Sequence, residues 1–237
     1  MINFAHRGFK GKYPENTLLA FKKAIEVGAD GIEFDVHLSK DNELVIIHDE
    51  SLDRTTDGKG LIKDKSLKEL KELSASYRYP YCDRQEILTL REYFDFAKDL
   101  DIITNIELKT SIIGYPGIEE EVYQLIKEYD LASKIIISSF NHNSLIRFKE
   151  IDSNIKCGVL EASRLYKAWE YVKSLEMEYY HPLNFTVDRK IVENFLENNI
   201  GLNIWFGISY YDFREYMNYD ISGIITDYPD RVKKLIR

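Results

Sequence analysis

Short runs of β-branched and apolar residues alternate along the chain with longer segments whose apolar positions recur every three or four residues. The first pattern is that of strands buried on both faces, the second that of amphipathic helices. Their alternation predicts βα units around a parallel sheet. Candidate strands are Ile2 to Ala5, Gly31 to Val36, Leu44 to Ile47, Ile102 to Leu108, Lys134 to Ser138, Lys156 to Leu160, Tyr179 to His181, Leu202 to Phe206 and Gly223 to Thr226. Candidate helices are Thr17 to Val27, Thr89 to Leu100, Glu119 to Tyr129, Ser144 to Glu150, Ser163 to Leu175 and Asp188 to Asn198. Nine strands are one more than a closed eight-stranded barrel uses.

The stretch from Leu44 to Leu108 is longer than one βα unit. Within it, Asp57-Gly58-Lys59-Gly60, a short helix near Leu67 to Leu73 and the aromatic run Tyr77 to Tyr81 read as a small insertion, about 54–87, capping one end of a single domain over 1–237. Seven residues, His37 to Glu43, join the second and third strands around the turn-like Lys40-Asp41-Asn42. Extended, seven residues reach roughly 23 Å, enough to return along a short strand and start a parallel neighbour. That crossover is the expectation adopted, because it sets His48 beside Asp35. A hairpin centred on Asp41 sets position 34 opposite 48 instead.

Composition narrows the setting. With 44% hydrophobic and 30% charged residues over 237 positions the chain is ordinary globular protein. It has no apolar run of membrane-spanning length, and Met1-Ile2-Asn3-Phe4-Ala5-His6-Arg7 offers no signal core. Cys82 and Cys157 are too few for a disulfide framework. A soluble, cytoplasmic protein is expected. The net charge of −8 argues against nucleic acid and against stable membrane attachment as partners. Oligomeric state is left open.

The residues capable of chemistry fall at the C-terminal ends of the early strands, where βα barrels build their sites. His6 and Arg7 follow the first, Glu33 and Asp35 end the second, His48 and Asp49 the third, Glu107 and Lys109 the fourth. In Gly31-Ile32-Glu33-Phe34-Asp35-Val36, alternation turns both acids to one face and the apolar residues to the other. Glu107 repeats that parity. Side by side and desolvated, such acids need a cation. Their oxygens suit Mg²⁺ or Ca²⁺, with Mn²⁺ also admissible, better than zinc. The plainer reading of any one of these acids is an exposed or salt-bridged side chain, the lesser alternative and weaker still for all three together, whereas an isolated histidine is more often structural. Here His6 and His48 stand beside the acids as a pair able to exchange protons in a displacement at phosphorus. Arg7 and Lys109 supply positive charge for a phosphate diester. His37 is read as having the opposite parity to Asp35 and is set outside, His142 lacks context, and His181 is assigned to the pocket mouth.

His6-Arg7-Gly8, Pro14-Glu15-Asn16-Thr17, Glu33-Phe34-Asp35-Val36, His48-Asp49 with Leu52-Asp53-Arg54-Thr55-Thr56, and Glu107-Leu108-Lys109 together resemble the glycerophosphodiester phosphodiesterase family. Ser138-Ser139-Phe140 and Ile225-Thr226-Asp227-Tyr228-Pro229 continue the match over nearly the whole chain. The resemblance implies an α/β TIM (β/α)8 barrel, here with a small insertion after the third strand. It implies hydrolysis of a glycerophosphodiester and water to sn-glycerol 3-phosphate and an alcohol, with one divalent ion at Glu33, Asp35 and Glu107. It also implies catalysis by His6 and His48, phosphate contacts from Arg7 and Lys109, and support from Glu15. The departure is Trp205-Phe206-Gly207-Ile208-Ser209, where the family more often has Trp-Thr-Val-Asn. Trp205 is then a candidate wall of the substrate pocket or a core residue. The alternatives are lysophospholipase D-type activity on longer-chain diesters, with Tyr77 to Tyr81 lining a larger cleft, and a non-catalytic barrel binding phosphorylated metabolites.

Overall fold

The computed structural model describes residues 1–207 and 212–236. Among these the strands, in chain order, are β1 (Ile2–His6), β2 (Gly31–Leu38), β3 (Leu44–Ile46), β4 (Leu88–Thr89), β5 (Ile103–Leu108), β6 (Ile135–Ser139), β7 (Lys156–Glu161), β8 (Tyr179–Pro182), β9 (Gly201–Trp205) and β10 (Gly223–Thr226). The helices are α1 (Leu18–Glu26), α2 (Leu67–Lys71), α3 (Leu90–Ala97), α4 (Ile118–Glu128), α5 (His142–Ile151), α6 (Ala168–Ser174), α7 (Arg189–Glu197) and α8 (Pro229–Lys233). Eight strands run parallel in the order β1-β10-β9-β8-β7-β6-β5-β2, and β1 pairs with β2 to close the ring. This is the TIM barrel. Ile208 and Ser209, the end of the motif that departs from the family pattern, lie outside the described residues.

Binary patterning explains the layers. On β2 the side chains of Ile32, Phe34 and Val36 are fully buried in the main core among helix residues. Phe34 meets Tyr93 of α3 at 4.4 Å between ring centroids, and Phe21 of α1 packs on both. Each such ring contributes about 2–3 kcal/mol by leaving water. Thr89 and Glu92 form a reciprocal cap on α3, which sets Leu90, Tyr93, Phe94 and Ala97 on the buried stripe. The opposite strand faces fill the barrel: Phe4, Ile136 and Ile225 form an apolar layer, and Asn105 with Ser138, and Asn203 with His181, form hydrogen-bonded pairs.

Three expectations are overturned: the direction of β3 and the places of His181 and His37. β3 is antiparallel to β2, with Val36 opposite Ile46 and Leu38 opposite Leu44. The Lys40-Asp41-Asn42 turn does close a hairpin: Asn42 takes φ 63°, its amide donates to the Ser39 carbonyl, and Ser39 Oγ bonds Asp41 and the Glu43 amide. Local turn chemistry outweighs the reach of an extended crossover. β3 is thus the ninth strand, carried outside the barrel and paired with β4. The segment between them has its own small core of Val45, Ile47, Leu52, Ile62, Leu70 and Ile87. His48 reaches Asp35 nonetheless, because the ladder ends at Ile46 and the Ile47 amide turns in to the Asp35 carbonyl.

His181, assigned to the pocket mouth, is instead fully buried in the barrel. Its Nε2 accepts from Asn203 at 2.9 Å, and Gly158 leaves room for the ring, since a Cβ there would meet it at 2.3 Å. His37 shares the parity of Asp35 and is also fully buried, bonded to the Tyr115 hydroxyl and to the His48 carbonyl. It braces His48 from behind. Burial pulls the His181 pKa down to about 3 and that of His37 to about 4. A ring kept neutral in the fold stabilises it above the unfolded pKa of 6.5, and that contribution is lost as pH falls toward the folded value. His181→Gln should therefore gain on the parent by about 1 kcal/mol per pH unit below 6.5 in urea unfolding. A difference that is constant from about pH 7.5 to 5 contradicts this neutral ring.

Candidate active site

Barrel register assembles the site. At the closure His6 lies opposite Glu33, and one strand on Asp35 lies opposite Glu107. Glu33, Asp35 and Glu107 are all buried, and a carboxylate oxygen from each lies within 4.8 Å of the others. Asp35 Oδ1 is buried without a hydrogen-bond partner, while Oδ2 accepts from Asn16 at 3.0 Å. Three hard oxygen donors around an unsatisfied anionic atom fit a divalent cation such as Mg²⁺ or Ca²⁺.

Two imidazoles flank the acids in the same way. His6 Nδ1 lies 2.6 Å from Asp227, and its Nε2 lies 3.9 Å from Glu33. His48 Nδ1 lies 2.6 Å from Asp49, and its Nε2 lies 4.0 Å from Asp35. An ionised carboxylate only accepts, so in each neutral ring the proton sits on Nδ1 and Nε2 presents its lone pair toward the acids. The 3.3 Å contact from Lys109 Nζ to His48 Nε2 fits that tautomer.

Cations close the other side. Arg7 takes a left-handed backbone with φ 53°, a conformation that costs an ordinary residue about 1 kcal/mol or more. The strain is held by its amide, which donates to the Glu33 carbonyl and carboxylate, and by its guanidinium, which donates to Glu15 at 2.9 Å and approaches Asp35 at 3.4 Å. Lys109 Nζ bonds Glu107 at 2.9 Å and lies 3.7 Å from Asp35. A pocket of about 220 Å³ opens above, lined on its charged side by His6, Arg7, Glu33, His48 and Glu107. Across it stand Phe140, Leu160 and Trp205. Trp205 donates through Nε1 to the His181 carbonyl and meets Phe140 edge to face.

Residues 6–231 match the Glycerophosphoryl diester phosphodiesterase family. The chain belongs to that family. It is 42% identical over 234 residues to the Glycerophosphodiester phosphodiesterase of Caldanaerobacter subterraneus subsp. tengcongensis, with 98% of this chain and 96% of that protein covered. To the protein of the same name from Bacillus altitudinis it is 39% identical, covering 98% and 96%. Among solved structures, an Oleispira antarctica phosphodiesterase in complex with the product sn-glycerol-3-phosphate matches with TM-score 0.86 at 30% identity, over 98% of this chain and 95% of that one.

The electrostatics of this cluster are those of anions crowded out of water. Burial and then the charges of Asp35 and Glu107 push Glu33 well above the usual carboxylate range. Burial carries Glu107 up to about 7 against the pull of Lys109. Asp35 is equally buried, yet Arg7, His48 and Lys109 hold it low. Burial, reinforced by Arg7, takes His6 down to about 4 despite Asp227. His48 is lowered by burial too, with Asp35 opposing and Arg7 and Lys109 adding to it.

All nine residues singled out from the sequence belong to this neighbourhood: Glu15 stands behind Arg7, and Trp205 forms part of the far wall. Four others went unassigned. Asp227 and Asp49 hold the two imidazoles, Asn16 supports Asp35, and Arg54 binds both Asp49 and Glu15. Each lies in a motif quoted above, but only barrel closure, which pairs β1 with β10, reveals that Asp227 serves His6.

Proposed function

We propose that the chain is a metal-dependent glycerophosphodiester phosphodiesterase with His6 and His48 as its proton carriers, releasing sn-glycerol 3-phosphate and an alcohol. The observation that carries this reading is the matched pair of imidazoles, each held at Nδ1 by an aspartate and each aiming Nε2 at the carboxylate triad. Family membership supports the reaction class, and the product bound in the Oleispira antarctica enzyme supports glycerol 3-phosphate as the retained half. A divalent cation, Mg²⁺ or Ca²⁺ by the donor set, would be held by Glu33, Asp35 and Glu107 and would neutralise charge on the phosphate oxygens. Arg7 and Lys109 bind the non-bridging oxygens and fix the diester between the rings. One imidazole takes a proton at Nε2 from the attacking oxygen, that of water or of a substrate hydroxyl whose cyclic product water then opens, and the other, entering as imidazolium, gives its Nε2 proton to the departing alkoxide. Asp227 and Asp49 keep each ring in the required tautomer and steady it when charged.

The apolar wall of Phe140, Leu160 and Trp205 suits carbon atoms of the glycerol or the alcohol. The volume of about 220 Å³ lies below the roughly 300–1,000 Å³ of sites for larger ligands, which favours a small hydrophilic diester over a lysophospholipid. Asp227→Asn leaves the shape of the site but cannot enforce the Nδ1 proton on His6. It should lower kcat by about a hundredfold with little change in metal affinity. Steady-state kinetics alongside Mn²⁺ titration measures both, and a kcat within twofold of the parent removes Asp227 from the mechanism.

A further inference from the structure

We propose that Arg54, contributed by the segment between β3 and β4, is a positioning residue that locks His48 through Asp49. The proposal rests on the catalytic reading of His48 and extends it to a residue that touches neither phosphate nor acids of the triad. One guanidinium makes four bonds to two carboxylates. Nε donates to Asp49 Oδ2 at 2.6 Å and Nη2 to Asp49 Oδ1 at 2.9 Å, while Nη1 and Nη2 donate to Glu15 at 2.9 and 2.8 Å. Asp49 Oδ1 is the same atom that holds His48 Nδ1, and Glu15 Oε1 is the same atom that holds Arg7. Arg54 is therefore the bracket between the two ends of the charged wall, His48 on one side and Arg7 on the other.

The bracket is asymmetric in what it must hold. Arg7 keeps Glu15, Asp35 and its backbone bonds to Glu33 if Arg54 is removed. Asp49, whose side chain is still 26% exposed, has His48 and Arg54 as its side-chain partners. Without Arg54 the carboxylate is free to rotate into solvent, and the His48 ring loses its fixed Nδ1 acceptor. The Arg54 side chain is itself 43% exposed, so its ion pairs are worth little as stability, about 0–1 kcal/mol. A large catalytic loss with a small stability loss is thus the signature of positioning. Lysine cannot reproduce it, since an ammonium lacks the planar fork that spans two carboxylates.

The test is kinetic and spectroscopic on the full chain. Arg54→Ala should lower kcat on glycerophosphocholine about thirtyfold to a hundredfold while KM moves no more than about twofold, and added guanidinium should restore part of kcat. Arg54→Lys should recover little. In an Asp49→Ala background, Arg54→Ala should cost less than about threefold more, because both changes break one chain of contacts. The downfield Nδ1 proton resonance of His48, which needs no substrate, should weaken or shift in Arg54→Ala. It reports on the bracket even if glycerophosphodiesters prove not to be substrates. Unchanged kcat, effects of Arg54 and Asp49 that multiply fully, or an unmoved His48 resonance each overturn the proposal.

Discussion

Replacing His6 or His48 by alanine is expected to lower turnover by about a thousandfold or more while the protein stays folded. On the proposed mechanism both rings act through one atom, Nε2, and alanine removes that atom without leaving a buried charge. Asp227 and Asp49 retain Lys10 and Arg54 as partners, at 3.4 and 2.6 Å, so neither aspartate is orphaned. The double variant should be scarcely worse than the poorer single one, because acid and base serve one displacement. A substrate with a p-nitrophenol leaving group separates the roles. The variant lacking the acid should recover much of its rate, since a phenolate departs without a proton, and the variant lacking the base should not. Wild-type turnover in either single variant removes that histidine from the mechanism.

The second large effect concerns the triad. Glu33→Gln, Asp35→Asn and Glu107→Gln should each abolish most of the response to divalent ions. The parent should gain about 2.7 kcal/mol from an ion at a hundred times its Kd, read as a higher midpoint in urea, and the variants should gain little. In EDTA the order reverses for Glu33→Gln, which should be more stable than the parent by about 1–2 kcal/mol. The reason is that burial and two neighbouring acids already push Glu33 toward its neutral form. Asp35→Asn should not share that gain, because Arg7, His48 and Lys109 are arranged around its charge. Equal behaviour of the two variants in EDTA would show that crowding of the acids does not govern the stability of the metal-free site.

The elements of the barrel were legible because their periods are distinct: β2 alternates acid and apolar residues, and α3 spaces Leu90, Tyr93, Phe94 and Ala97 on one stripe. What failed was pairing direction. An extended linker and a hairpin are both sterically available between Leu38 and Leu44, and the decision lay in the side chain of Ser39 and the left-handed Asn42. His48 still reached Asp35 because the ladder stopped at Ile46, two residues short of the point where hairpin parity would have turned it away. The inward acids followed from parity alone. The aspartates behind the histidines did not, since the contact of His6 with Asp227 spans 221 residues and exists only when the ring closes. His181 looked like a mouth residue from its place at a strand end, yet Gly158 makes room for it inside. A missing side chain on a neighbouring strand carries no signal at the position it accommodates.

The most direct test of metal-dependent diester hydrolysis by the two histidines is release of glycerol 3-phosphate from glycerophosphocholine and glycerophosphoethanolamine. Release is measured first in EDTA and then with Mg²⁺, Ca²⁺ or Mn²⁺ restored, beside His6→Ala and His48→Ala under the same conditions. The expected result is no release in EDTA, recovery with at least one of the three ions, and none above background from either variant. Release that is unaffected by EDTA, or silence on both diesters with all three ions while lysophospholipid is cleaved, would contradict it.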